Sequence, residues 1–131
     1  MKTEEPKVII PRTLIPLPKP HELEAAWILA RHYKRTIELL RPIDDYKRKT
    51  ADFVMDGVVW EIKAPEGNSK ETIGRILKRA SKQSVNIVLD CRRTALPDEI
   101  IKKKVCYELT KRRQIKRVVM IMKDKKVIEI Q

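Results

Sequence analysis

The stretch TADFVMDGVVWEIK, residues 50–63, decides the fold. At its centre Asp56-Gly57 is a dipeptide that tolerates positive φ at both positions, as a two-residue hairpin turn requires. The flanking runs, 51–55 and 58–63, are rich in β-branched and aromatic residues and read as two antiparallel strands. The turn sets the register: Met55 opposes Val58, Val54 opposes Val59 and Phe53 opposes Trp60. By extension Asp52 falls opposite Glu61, and Thr50 opposite Lys63. Side chains alternate along a strand, so Ala51, Phe53, Met55, Val58, Trp60 and Ile62 share an apolar face that belongs to the core. Asp52, Glu61 and Lys63 lie on the other face.

Directly opposed Cβ atoms sit roughly 4.5–5.5 Å apart, where like charges repel. Two carboxylates so placed need a proton or a cation between them. A divalent metal ion suits them, because hard cations take carboxylate and backbone carbonyl oxygens. Lys63 beside such an ion could hold a water or a phosphate oxygen, and the set would serve phosphodiester hydrolysis. The alternative is a solvated sheet face on which Lys63 neutralises the acids at little energetic consequence. The pattern leaves both readings open.

Outward from the hairpin, the chain alternates helix and strand. Prolines at 6, 11, 16, 18 and 20 mark residues 1–20 as an extended arm or linker. Leu23, Ala26, Trp27, Ala30, Tyr33, Ile37 and Leu40 recur at three- and four-residue steps and predict one amphipathic helix, with Pro42 marking its end or a kink. A basic loop, IDDYKRK (43–49), leads into the hairpin. After it, Asn68 or Ser69 caps a helix with Ile73, Ile76, Leu77 and Ala80 on one stripe. NIVLD (86–90) is a continuous apolar strand of the buried kind. Pro97 opens a third helix bearing Ile101, Val105 and Leu109, and RVVMIM with VIEI closes the chain as a hairpin around KDKK. This order is mixed α/β, with residues 21–131 as one domain and a parallel crossover joining the strands at 58–63 and 86–90.

The 131 residues carry a formal charge of +12, spread along the chain, with 42% apolar and 37% charged residues. So large an excess predicts a polyanionic partner, nucleic acid first and an acidic protein second. Cys91 and Cys106 make no disulfide framework, and with His21 and His32 they complete no zinc set, a usage that suits a reducing compartment. No apolar run approaches the ~20 residues of a bilayer span, and no signal peptide core is visible, so no membrane association is expected.

ADF…WEIK followed by a helix and an apolar strand resembles the catalytic core of the PD-(D/E)xK nuclease superfamily. The longer stretch KTADFVMDGVVWEIKAPEGNSKETIGRILKRASKQSVNIVLDCRRT resembles the CdiA-type toxin C-terminal domains, tRNA nucleases of contact-dependent bacterial competition. The resemblance runs from about residue 22 to the end. It implies a restriction-endonuclease-like fold, a mixed central sheet flanked by helices. It also implies a metal-dependent endonuclease acting on RNA, with tRNA as substrate. Asp52 and Glu61 would ligate the metal with the carbonyl of Ile62, Glu24 would add an acid from the first helix, and Lys63 would position or activate the attacking water. Mg²⁺ is the first choice of ion, with Mn²⁺ or Zn²⁺ as alternatives. Ala51 stands where the superfamily name has proline, which removes no ligand. The toxin likeness further implies an acidic immunity protein and a cytoplasmic site of action after delivery within a secreted toxin.

Elsewhere, Arg75, Lys82 and Gln83 on the crossover helix and Arg92 after the buried strand are placed to contact a phosphate backbone. The competing reading of Arg75 is a solvated helix face with a Glu71–Arg75 pair. Arg93 and KRRQIKR (111–117) add to the electrostatic footprint. Trp27 and Trp60 read as core, and both cysteines as small apolar residues. Three other activities fit the same composition. One is a metal-independent ribonuclease of the colicin or RelE type using Thr72, Arg75 and Arg92. The others are a DNA nuclease on the same core and a non-catalytic nucleic-acid-binding module.

Overall fold

The computed structural model describes residues 5–12, 17–40 and 52–131, and the chain forms two compact units, Met1–Trp60 and Glu61–Gln131. Pro42, the basic loop 43–49, Thr50 and Ala51 lie outside the described residues.

The first unit holds β1 (Val8–Ile9), α1 (Pro20–Tyr33), β2 (Ile37–Leu39), β3 (Phe53–Met55) and the start of β4 (Val58–Lys63). The hairpin has the expected register: Phe53 pairs with Trp60, Val54 with Val59 and Met55 with Val58. Asp56 and Gly57 take φ of 52° and 76°, the double left-handed turn whose twist matches that of the strands it joins. Phe53 and Trp60 are buried, with parallel rings 6.2 Å apart across the ladder. The other buried apolar residues described in this unit are Ala25, Ala26, Ile28, Leu29, Ala30, Ile37, Leu39 and Met55. Val8–Ile9, within the proline-rich stretch, is hydrogen-bonded in parallel to β2.

Two expectations for this unit are corrected. The first helix is shorter than its apolar spacing suggests, because Lys34 adopts the left-handed conformation (φ 54°) and ends it at Tyr33. Ile37, which continues the helical spacing by coincidence, instead opens β2. There Ile37 and Leu39 are buried and Glu38 is exposed, and all three pair antiparallel with β3. Trp27, read as core, is 37% exposed, with the Arg31 guanidinium 5.4 Å over its ring. The buried stripe of α1 is made by Ala25, Ala26, Ile28, Leu29 and Ala30.

The second unit holds the end of β4, α2 (Lys70–Ala80), β5 (Asn86–Asp90), α3 (Asp98–Lys111), β6 (Arg117–Ile121) and β7 (Val127–Glu129). β4 and β5 are parallel, as the crossover predicts, β5 and β6 are parallel, and β6 and β7 form the closing hairpin. Every residue of β5 is buried, which is why NIVLD reads as an uninterrupted apolar run. Ile73 and Leu77 of α2, Ile101 and Val105 of α3, and Ile87, Leu89, Val118 and Met120 of the strands share one core. The result is the expected α/β class: strands in mixed parallel and antiparallel pairing, with three α-helices among the described residues.

Helices α2 and α3 meet at a polar contact inside this layer. Glu108 is 5% exposed, between Lys104 and Arg112 of its own helix at 3.2 Å each. A Cβ at Gly74 of α2 would stand 2.9 Å from the Glu108 carboxylate, so glycine is what lets α2 accept this acid.

Candidate functional site

Glu61 is the most informative residue of the opening stretch. Parallel register pairs it with Ile87 and pairs Lys63 with Leu89. Paired positions share a face, so both charged side chains project to the side where Ile87 and Leu89 pack with Ile73 and Leu77 of α2. Glu61 is accordingly 1% exposed, while Val59, on the same side of its strand, is 44% exposed. The solvated-face alternative therefore fails for Glu61. Burying a carboxylate is costly unless other groups compensate its charge. Glu61 makes contacts of its own, although its buried Oε2 accepts no hydrogen bond among the described residues. Lys63 and Ile62 are half-buried.

Asp52 belongs to the first unit and is exposed. Its backbone N–H donates to the Trp60 carbonyl at 2.9 Å, and its own carbonyl accepts from Leu40 N–H at 2.9 Å. The described pairing of β3 with β4 ends at Phe53–Trp60, so the expected Asp52–Glu61 pair is not among its register partners. Glu24 is exposed on α1. Among the described residues no three His, Cys, Asp or Glu side chains converge into a metal-holding group. A metal ion held by β4 would take one or two carboxylates, with carbonyl, phosphate and water oxygens for the rest, which is the ordinary ligation of Mg²⁺.

The basic residues fall at several places in the second unit. Arg75 is exposed on α2 and donates from Nη2 to Thr72 Oγ1 at 3.3 Å. Glu71 takes the Ser69 hydroxyl at 2.7 Å, and that bond is the main reason its carboxyl stays below the usual range. Ser69 is also the residue that opens α2, as expected. Lys82 is exposed and Gln83 half-buried in the turns after α2, where their N–H groups donate to the carbonyls of Arg79 and Ala80.

Arg92 stands beside an acid that sequence reasoning missed. Asp90, fully buried at the carboxyl end of β5, accepts Arg92 Nε at 2.8 Å and Nη2 at 2.7 Å. The Arg92 backbone N–H donates to the same carboxylate at 3.2 Å. Lys123 steadies the loop that follows, donating to the carbonyls of Cys91 at 3.0 Å and Leu96 at 2.6 Å. An acid closing an apolar strand two residues before an arginine is the sequence signal for this clamp. Burial pushes the Cys91 thiol up to about 12, which makes it an inert core group. In the first unit, a groove of about 450 Å³ is lined by Pro6, Ile9, Arg35, Glu38, Val54 and Asp56 among others, and holds none of the candidate catalytic, metal-binding or substrate-binding residues. No described helix is long and apolar enough to cross a membrane.

Comparison with known proteins places these features. No curated protein matches the chain. The solved CdiA-CT/CdiI toxin and immunity complex from Burkholderia pseudomallei contains a chain of similar fold. Its TM-score is 0.67 at 18% identity, covering 95% of this chain and 98% of that one. The family model for the contact-dependent growth inhibition CdiA C-terminal domain matches residues 49–127, a span that includes Asp52, the whole of β4 and both later helices. This chain belongs to the CdiA C-terminal domain family of contact-dependent growth inhibition toxins.

Proposed function

We propose that the chain is a metal-dependent endonuclease that cleaves RNA, with tRNA as its substrate, and that this activity is the toxic one. The observation that carries the reading is Glu61, a carboxylate buried in β4 with Lys63 two residues further on the same face, in a chain of net charge +12. Family membership supports it, because toxins of this kind are generally nucleases. The succession α1, β2, β3, β4, α2, β5, antiparallel through β4 and parallel from β4 to β5, supports the PD-(D/E)xK reading of the core.

In this reading Glu61 and Asp52 hold the metal with the Ile62 carbonyl, Glu24 is the candidate additional acid, and Lys63 orients the attacking water. A divalent ion at this place would polarise the phosphoryl oxygen and lower the pKa of a bound water. Arg75, Lys82 and Gln83 take backbone phosphates. Arg92 can share in this only while held by Asp90, so its part is to present a fixed, partly neutralised guanidinium. The Burkholderia protein is solved with its immunity protein. By the same reading this chain has an immunity partner, acidic to match its charge.

Purified protein incubated with total RNA and with DNA, with and without chelator, tests the proposal. Cleavage of RNA that needs Mg²⁺, Mn²⁺ or Zn²⁺ and stops in chelator is expected. RNA cleavage that persists in chelator moves the chemistry to a metal-independent mechanism. Salt-sensitive binding without turnover under any metal identifies a binding module instead.

A further inference from the structure

The outward side of α3 carries an arrangement that the proposed cleavage site does not use. Tyr107 is 51% exposed, although an aromatic ring gains most from burial. Two ammonium groups approach it, Lys111 Nζ at 4.4 Å and Lys104 Nζ at 5.2 Å from the ring centroid. Its phenol also holds the Lys111 ammonium above the usual lysine range, so the charge is kept.

The two lysines differ in what balances them. Lys104 is paired with the buried carboxylate of Glu108 at 3.2 Å, and Lys102 with Glu99 at 3.6 Å. Lys103, Lys111 and Arg113 have no carboxylate partner among the described residues. An exposed ring with the uncompensated Lys111 ammonium beside it suits an anionic chain bearing flat aromatic groups, with a base on the ring and a phosphate on the ammonium group. A purely solvated helix face would not need the aromatic ring, and an apolar docking face would not surround it with lysines.

We propose that Tyr107 with Lys111 forms a stacking platform on α3 for an unpaired base of the RNA, a second contact outside the cleavage site. This rests on the reading of the chain as an RNA-binding toxin, so the test separates the two. The full wild-type chain and single variants are titrated, in chelator, with a labelled 2′-O-methyl oligouridylate and with an RNA duplex of equal length. Chelator and the methylated 2′ position together suppress turnover during the measurement.

Tyr107→Ala is expected to weaken binding of the single strand about tenfold or more, the size of one lost base–aromatic stack. The duplex, whose bases are already stacked, should be affected much less. Tyr107→Phe should restore single-strand affinity to within about twofold, since the π face is kept. Lys111→Gln should reduce the salt dependence by roughly 0.7 in the log–log slope, the value for one phosphate contact on a single strand. Equal affinities of wild type and Tyr107→Ala for the single strand would overturn the platform while leaving the RNA-binding reading intact. Absence of RNA binding by the wild type at low salt would overturn both. Loss of affinity for an acidic protein partner, with RNA affinity unchanged, would assign the face to that partner and overturn the platform.

Discussion

Two buried glutamates in the same unit, Glu61 on β4 and Glu108 on α3, have settings that point to different roles. Glu108 has a cation one turn away on either side and fills the space that Gly74 leaves open. Its charge is balanced by its own helix, and its effect is to lock α3 against α2. Glu61 lies in a strand between Trp60 and Ile62, in register with Ile87, which packs in the core with α2, and the basic residue near it in sequence is Lys63. A buried acid neutralised from its own element belongs to the architecture. A buried acid placed in the core layer with a lysine two residues along is where chemistry is to be sought.

The largest effect should come from Glu61. Glu61→Gln keeps the side-chain volume and removes the charge. It should lower RNA cleavage by at least about a hundredfold, the order seen when one preorganised charged group leaves a site. Lys63→Ala should do the same, and single-turnover assays on labelled tRNA measure both. Cleavage within a few-fold of wild type in Glu61→Gln would place Glu61 with Glu108 among the structural acids.

Glu108→Ala should behave in the opposite way, losing about 2 kcal/mol of stability because Lys104 and Arg112 are left without their carboxylate. Cleavage per folded molecule should be unchanged. Urea unfolding followed by circular dichroism reads the loss, and a stable but inactive variant would break the contrast. Gly74→Ala should cost about 1–2 kcal/mol by forcing the Glu108 carboxylate away from its two cations. The same substitution in a Glu108→Ala background should cost less, and a double-mutant cycle measures that coupling. Additive losses would mean that Glu108 has room to move.

The smallest effect concerns the thiols. The folded protein should take up alkylating reagent at Cys106 and not at Cys91, since Cys106 is exposed and burial holds the Cys91 thiol protonated up to about 12. The sign of the linkage follows from that shift. The Cys91 contribution to stability is complete below the ordinary thiol pKa and is lost as pH rises from there through about 12. Mass spectrometry after labelling at neutral and at alkaline pH checks both statements.

Much of the fold is legible along the chain because its strongest signals are local. Asp56-Gly57 fixes a turn type, the turn fixes the β3–β4 register, and alternation then assigns Phe53, Met55 and Trp60 to the core without knowledge of any distant residue. Ser69 and Pro97 open their helices for equally local reasons, and the apolar run of β5 declares its own burial. Local signals also mislead where two periods coincide. Ile37 continues the spacing of α1, and only the left-handed Lys34 makes it a strand residue.

The sequence by itself therefore determined the hairpin, its register, the parallel crossover and the basic character that calls for an anionic partner. Tertiary structure alone decided which charged residues are buried and what balances them. Alternation puts Glu61 and Val59 on one side of β4, yet the first is buried and the second exposed. The Asp90–Arg92 clamp, the Glu108 carboxylate over Gly74 and the half-exposed Tyr107 are of the same kind. Burial and charge balance depend on which elements meet in space, and no local pattern encodes those meetings.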